Sequence, residues 1–242
     1  MKDYAAFFLG FALLGTSCSH KSQSAALPKP TAFGAAMVES NGGKQFTQSG
    51  SLLPQPVVVQ VNDAQGNAVA GALVEFTAAP GVTFDSAVAL TDSSGQVTAS
   101  VSLGGTAGRY QITASTLDKS NRRVELRVEE IALGYQQTLG RVLNDQYCDR
   151  CHNPESTVER VSNYDNLEVK PHPFTEGDSL NKMSDAELDA IITNGGPALQ
   201  KSALMPAWGN TLSKSDIEAL ISYIRAVSDP PSRQAGPIYA KN

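Results

Sequence analysis

Apolar residues recur at every second position between Pro56 and Ile131, and at every third or fourth position from Gly134 onward. A strand turns successive side chains to opposite faces, while a helix returns to one face about every 3.6 residues. A chain that carries the first period and then the second, without interleaving them, reads as a β unit followed by an α unit.

In the first unit Val57, Val59 and Val61 alternate with Val58, Gln60 and Asn62. Ala72, Val74, Phe76 and Ala78 share a face, as do Val97, Ala99, Val101 and Leu103. Tyr110, Ile112 and Ala114 follow, then Val124, Leu126 and Val128 between charged neighbours. Such alternation gives each strand one buried and one wet face, as in an antiparallel sandwich. Turn residues separate the strands at Asp63–Asn67, Asp92–Gly95 and Gly104-Gly105. Asp63, Asp92 and Glu75 could be offered to calcium, but turn chemistry and solvated strand faces explain them more simply. The Asp-x-x-Gly-x-x-Val turn between Val57 and Phe76, the run Thr91–Val97 and the run Gly108–Ala114 resemble the bacterial Ig-like modules of the invasin/intimin type (Big_1). That resemblance implies an Ig-like β-sandwich, here over residues 45–131, serving as a spacer or docking module.

The second unit contains Cys148-Asp149-Arg150-Cys151-His152. Two cysteines three apart, followed at once by histidine, form the attachment signature of a c-type haem. Each thiol can add across one vinyl group of haem, and the short loop presents His152 to the iron. A zinc or redox pair would call for a second Cys/His pair or a thioredoxin-like βαβ setting, and the sequence offers neither. A sixth ligand is sought downstream, where Met205 lies in Ser202–Gly209; Met183 and His172 are its rivals. A thioether favours ferrous iron and suits electron transfer. Met183 adjoins a helix cap and reads as packing, and His172 lies in the extended Pro171-His172-Pro173.

The helical stretches complete this unit. Tyr135, Leu139, Val142, Leu143 and Gln146 lie near one face and lead into the motif. Ser184 with Glu187, and Ser213 with Asp216, mark two helix starts. Leu188, Ile191 and Ile192 form one apolar face, with Asn194-Gly195-Gly196 as its stop. Ile217, Leu220, Ile221, Ile224 and Val227 form the other, with Tyr223 beside it and Pro230-Pro231 beyond. Trp208 reads as packing beside the Met205 loop.

A leading helix, C-x-x-C-H, a later Met-Pro and a closing helix together resemble the class I cytochrome c family over residues 134–230. The resemblance implies an all-α domain, here 132–230, with one covalent haem c held by Cys148, Cys151, His152 and Met205. It also implies that Gly140, eight before the first cysteine, lets the first and last helices cross. The family's aromatic four before that cysteine is Asn144 here, and its glycine after the histidine is Asn153. No Gly-Pro element follows to accept the other ring N–H of His152, so that partner stays unassigned.

Residues 1–17 carry Lys2, the apolar run Ala5–Leu14 and small residues up to Cys18. They read as an export signal, too short to span a membrane. Leu13–Cys18 resembles a bacterial lipoprotein cleavage site, which implies that Cys18 is lipidated. Since Cys148 and Cys151 are committed to haem, a lipid also accounts for the remaining cysteine. Residues 18–44, rich in Ser, Ala, Pro, Gly and Lys, read as a flexible tether, and 231–242 as a mobile tail.

The expected architecture is therefore an all-β Ig-like sandwich followed by an all-α class I cytochrome c domain. The expected function is single-electron transport outside the cytoplasm, with the lipid holding the chain at a membrane and Ser19 favouring the outer membrane. Redox proteins are the expected partners, nucleic acid is not, and catalysis is not expected. The net charge of −5 offers no polyanion a basic surface. Residues 134–242 hold 10 Lys/Arg against 14 Asp/Glu, which favours a partner with a basic docking patch. A peroxidase-like haem enzyme with a displaceable methionine, or a surface adhesion or scaffold protein bearing a cytochrome domain, are the alternatives.

Overall fold

The structure, a computed structural model, describes residues 27–154, 161–233 and 236. The leader, Cys18 and His20 lie outside them.

Among the described residues, ten strands come first. They are β1 (Ala36–Asn41), β2 (Phe46–Gln48), β3 (Val57–Asn62), β4 (Leu73–Ala78), β5 (Thr83–Phe84), β6 (Val88–Leu90), β7 (Gln96–Ala99), β8 (Val101–Ser102), β9 (Gly108–Leu117) and β10 (Arg123–Leu133). They form a three-stranded sheet β1-β3-β7, a five-stranded sheet β2-β10-β9-β4-β6 and the small pair β5-β8. All pairings are antiparallel except β2 with β10. Val57, Val59, Val61, Val74, Phe76, Val97, Ile112, Ala114 and Val128 fill one core, so the alternating residues do point inward. No disulfide is needed there, because burying each such side chain is worth about 1.5–3 kcal/mol.

The hairpin turns are held by carboxylates. Asp63 Oδ1 accepts the N–H groups of Gln65 and Asn67, both at 2.9 Å, and Asp92 Oδ1 accepts those of Ser94 and Gln96. These donors hold both carboxyls below the ordinary aspartate range: the Asn67 side chain leads at Asp63 and the Gln96 N–H at Asp92.

Two readings need correction. β1 lies inside the stretch 18–44 read as a tether, paired with β3 from Ala36↔Asn62 to Asn41↔Val58. It is an edge strand that buries only Met37, so backbone pairing rather than an apolar period holds it. The stretch 97–103 is likewise two strands: the chain leaves β3 at Ser100, whose N–H donates to Asp85 Oδ1 at 2.9 Å, and joins β5 as β8.

One residue, Gly134, separates β10 from α1 (Tyr135–Leu143); the Gln137 side chain accepts its N–H at 2.9 Å. A π-helical turn (Asn144–Cys148), α2 (Asp149–His152), α3 (Gly177–Leu180), α4 (Asp185–Asn194) and α5 (Lys214–Val227) follow. Capping boxes start α4 at Ser184 and α5 at Ser213, and Gly195 at φ +81° ends α4. Leu143, Cys148, Leu188, Ile192, Ile217, Leu220 and Ile224 share a second core. The buried face of α1 differs from expectation: Tyr135 and Val142 are exposed, while Leu139, Gly140 and Leu143 turn inward. The cause is the crossing at Gly140, where a β-carbon would lie 2.8 Å from Cβ of Tyr223.

The segment read as a mobile tail is docked where it is described. The Ser232 N–H donates to Ser228 Oγ at 3.0 Å, and Gly236 lies against Ser222. No helix among the described residues is long and apolar enough to cross a membrane.

Candidate functional site

The α1–α5 crossing delivers the chain into the π-helical turn, which ends on Cys148. An extra residue in a helical turn re-aims the side chains that follow, and such turns recur at functional sites. Here Cys148 is buried while Cys151 and His152, one turn on, are partly open. Burial, and secondarily Cys151, pushes the Cys148 thiol up to about 12. Among the described residues, no three His, Cys, Asp or Glu side chains converge as a metal cage.

His152 Nδ1 lies 2.8 Å from the carbonyl oxygen of His172. A carbonyl can only accept, so Nδ1 carries the proton and Nε2 keeps its lone pair for a metal. The ring also packs on Phe174, centroid to centroid 4.8 Å, and the protein around it holds the imidazole below its ordinary pKa. Burial is the main cause and outweighs the Nδ1–H hydrogen bond to His172, which acts the other way, so the neutral, ligating form is favoured.

The acceptor is itself secured. His172 Nδ1 lies 3.1 Å from Glu176 Oε2, and Ser179 Oγ donates to Glu176 Oε1 at 2.6 Å. Ser179 first, then His172, holds the Glu176 carboxyl below its usual range. Below this turn the buried Arg225 donates to Asp185 Oδ1 at 2.8 Å and to the carbonyls of Leu180 and Met183 at 2.8 and 2.6 Å. Of these supports, sequence reasoning named only His172, and as a rival ligand rather than as the acceptor for His152; Glu176, Ser179 and Arg225 were missed. The prolines flanking His172 were the one available signal, since they hold the backbone extended with its carbonyl free.

Met205 lies on a loop pinned to the end of α4. The Gly196 N–H donates to the Met205 carbonyl at 3.0 Å. β-carbons on Gly195 and Gly196 would lie 2.9 Å from that oxygen and 3.1 Å from Met205 Cβ respectively. Three residues on, the Trp208 N–H donates to the Ile192 carbonyl at 3.0 Å, and its ring packs 5.2 Å from that of Tyr147, the neighbour of Cys148. The two aromatic rings therefore join the Met205 loop to the cysteine turn. Met183 packs against the helical core. The His172 ring is half exposed and engaged with Glu176, at the Nδ1 end of His152.

Two thiols and a neutral imidazole on one helical turn, with Nδ1 engaged and Nε2 free, form a donor set that fits a covalently held haem.

Residues 54–128 match the family described as bacterial Ig-like domain (group 1). Residues 136–224 match the family described as cytochrome c oxidase, cbb3-type, subunit III. No curated protein sequence matches the chain. Among solved structures, the D00-D0 domain of intimin is 16% identical, with 46% of this chain and 51% of that chain covered and a TM-score of 0.32. Invasin, a bacterial integrin-binding protein, is 18% identical, with 40% of this chain and 19% of that chain covered and a TM-score of 0.32. The adhesin InvE of Yersinia pseudotuberculosis is 16% identical, with 43% of this chain and 33% of that chain covered and a TM-score of 0.30. The chain thus spans about half of the intimin fragment and less of the other two. A stretch that matches the Ig-like family and a stretch that matches the cbb3-type subunit III family stand in series on one polypeptide.

Proposed function

We propose that this chain is a monohaem c-type cytochrome that carries single electrons outside the cytoplasm, tethered to a membrane through Cys18. The observation that supports it most is the His152–His172 hydrogen bond beside Cys148 and Cys151. It leaves one imidazole nitrogen and two thiols as a ready set for one haem. The haem, when bound, supplies one-electron Fe(III)/Fe(II) exchange.

The chain's own residues have distinct tasks. Cys148 and Cys151 would hold the haem through their two sulfurs, one to each vinyl group. His152 offers Nε2, and the His172 carbonyl raises its basicity through Nδ1–H. Met205 offers a thioether from a loop whose backbone Gly195 and Gly196 hold close. His152 and Met205 would both be ligands in this reading, leaving the iron to exchange electrons rather than bind a substrate, which separates a carrier from a peroxidase. The helical part takes the class I cytochrome c fold in this reading, as the Gly140 crossing supports.

Localisation follows from the leader. Cys18 as a lipidated first residue, with Ser19 after it, favours the outer membrane of a two-membrane bacterium. The Ig-like part then spaces the cytochrome from the membrane or docks it. A redox partner with a basic patch suits the acidic second half.

The test is mass spectrometry of protein made with a haem-ligation system. One haem mass should survive acid–organic extraction and vanish when Cys148→Ala is combined with Cys151→Ala. An extracted wild-type chain of bare polypeptide mass ends this reading. Cys18→Ser should move the protein out of the membrane fraction. A mature terminus without an acyl chain removes the anchor while leaving the haem assignment intact.

A further inference from the structure

The end of β10 is buried on both faces. Val128 and Ala132 point into the sandwich core, whereas Ile131 and Leu133 pack with Tyr223 and Val227 of α5, along with Phe46 and Phe174. A strand on the outside of a free sandwich would show solvent a polar face there. Instead its outer face is apolar, and α5 covers it.

Specific contacts reinforce this patch. The Phe46 ring meets Tyr223 edge-on, with centroids 5.8 Å apart, and the Arg141 guanidinium lies 5.0 Å above the Phe46 ring. Arg109, on β9, pairs with Glu129 and donates to the carbonyls of Ala226 and Ser228 at 3.0 and 2.6 Å. Those carbonyls close α5, where the helix has run out of its own donors and a cation is favoured. Lys44 reaches Asp229 at 2.8 Å, but that pair is exposed and adds little. With a single residue between β10 and α1, no slack linker remains between the two parts.

The patch is continuous with the candidate site. Phe174 belongs to this cluster and also packs on the His152 ring, and Tyr223 forms both the Gly140 crossing and the Phe46 contact. We propose that the sandwich is a rigid mount for the His152 side of the cytochrome part, held in one orientation by Arg109 and Phe46 as positioning residues. The sandwich is then no swinging spacer. It sets the direction in which the haem edge faces, and a partner must approach along that direction. The proposal rests on the haem reading for what is being positioned, but not for the rigidity itself.

Residual dipolar couplings of the reduced, haem-loaded full chain test it. One alignment tensor should fit the amides of β1–β10 and those of α1, α4 and α5 together. Two tensors in the wild type would overturn the mount, whatever the haem content, whereas a missing haem mass would overturn only the functional reading. Phe46→Ala combined with Arg109→Gln should split the single tensor into two while each half keeps its own amide pattern. The same pair should shift the hyperfine-displaced His152 ring signals of the oxidised protein. Arg127→Gln, an exposed change on β10, should do neither. A double variant with one tensor and unmoved His152 signals would show that these residues position nothing.

Discussion

Gly140 and Tyr223 approach so closely that a β-carbon on the glycine would lie 2.8 Å from Cβ of the tyrosine. The crossing of α1 and α5 is therefore set by the absence of a side chain, and everything that α1 delivers, from Leu143 to Cys148, depends on it. Gly140→Val should destabilise the cytochrome part by about 3 kcal/mol or more, since overpacking adds to backbone displacement. Denaturant unfolding followed at the haem Soret band measures this. An unchanged midpoint would mean that the crossing is looser than the geometry states.

Met205 and Met183 should separate cleanly. Met205→Ala should remove the far-red sulfur-to-iron(III) band and admit small ligands, while Met205→His should keep six-coordination and lower the midpoint potential. Met183→Ala removes a partly buried packing residue whose backbone carbonyl still serves Arg225. It should lower stability by about 2 kcal/mol and leave the band in place. A band that survives in Met205→Ala and disappears in Met183→Ala would reverse the assignment.

Glu130 supplies a pH dependence of unusual sign. Its carboxyl is fully buried between Val128 and Ala132 on β10. Oε2 accepts the Gln45 N–H at 2.6 Å, and Oε1 has no partner among the described residues. Burial, with smaller contributions from Glu39 and Glu129, pushes its pKa from 4.5 up to about 8, and the Gln45 N–H opposes them. The folded state therefore holds a proton that the unfolded chain releases. The associated stability is complete below pH 4.5, is lost as pH rises toward 8 and then levels off, by up to about 1.4 kcal/mol per pH unit. Glu130→Gln keeps an acceptor for Gln45 and removes the proton. Urea midpoints should show the variant gaining on wild type between pH 5 and pH 8. Parallel pH profiles would show that Glu130 titrates normally.

The paired edge strand predicts a difference between two fragments. A chain of 27–133 retains β1 and should unfold cooperatively without haem. A chain of 45–133 loses β1, bares the edge of β3 and drops Met37 from the core. It should be less stable by about 2–4 kcal/mol, as for loss of a buried methionine together with its strand pairing. Equal denaturant midpoints for the two fragments would remove β1 from the stable sandwich.

What could be read along the chain is what local rules write there. Strand alternation, capping at Ser184 and Ser213, and the spacing from Cys148 to His152 involve residues a few positions apart. Backbone geometry alone determines which of them share a face or a turn. The inward residues from Val57 to Val128 were accordingly legible, and so were the apolar faces of α4 and α5. The rest depends on groups brought together from far along the chain. β1 carries no apolar period because an edge strand is held by backbone hydrogen bonds, which every sequence possesses. The inward face of α1 rotated away from Tyr135 and Val142 because α5 crosses at Gly140. The acceptor for His152 lies twenty residues on at His172, and any residue there would present a carbonyl. Glu130 looks like an ordinary strand carboxylate until the fold removes its water. The docking of β10 and Phe46 onto α5 is likewise silent in the sequence, since an apolar outer face acquires meaning only from the helix that covers it.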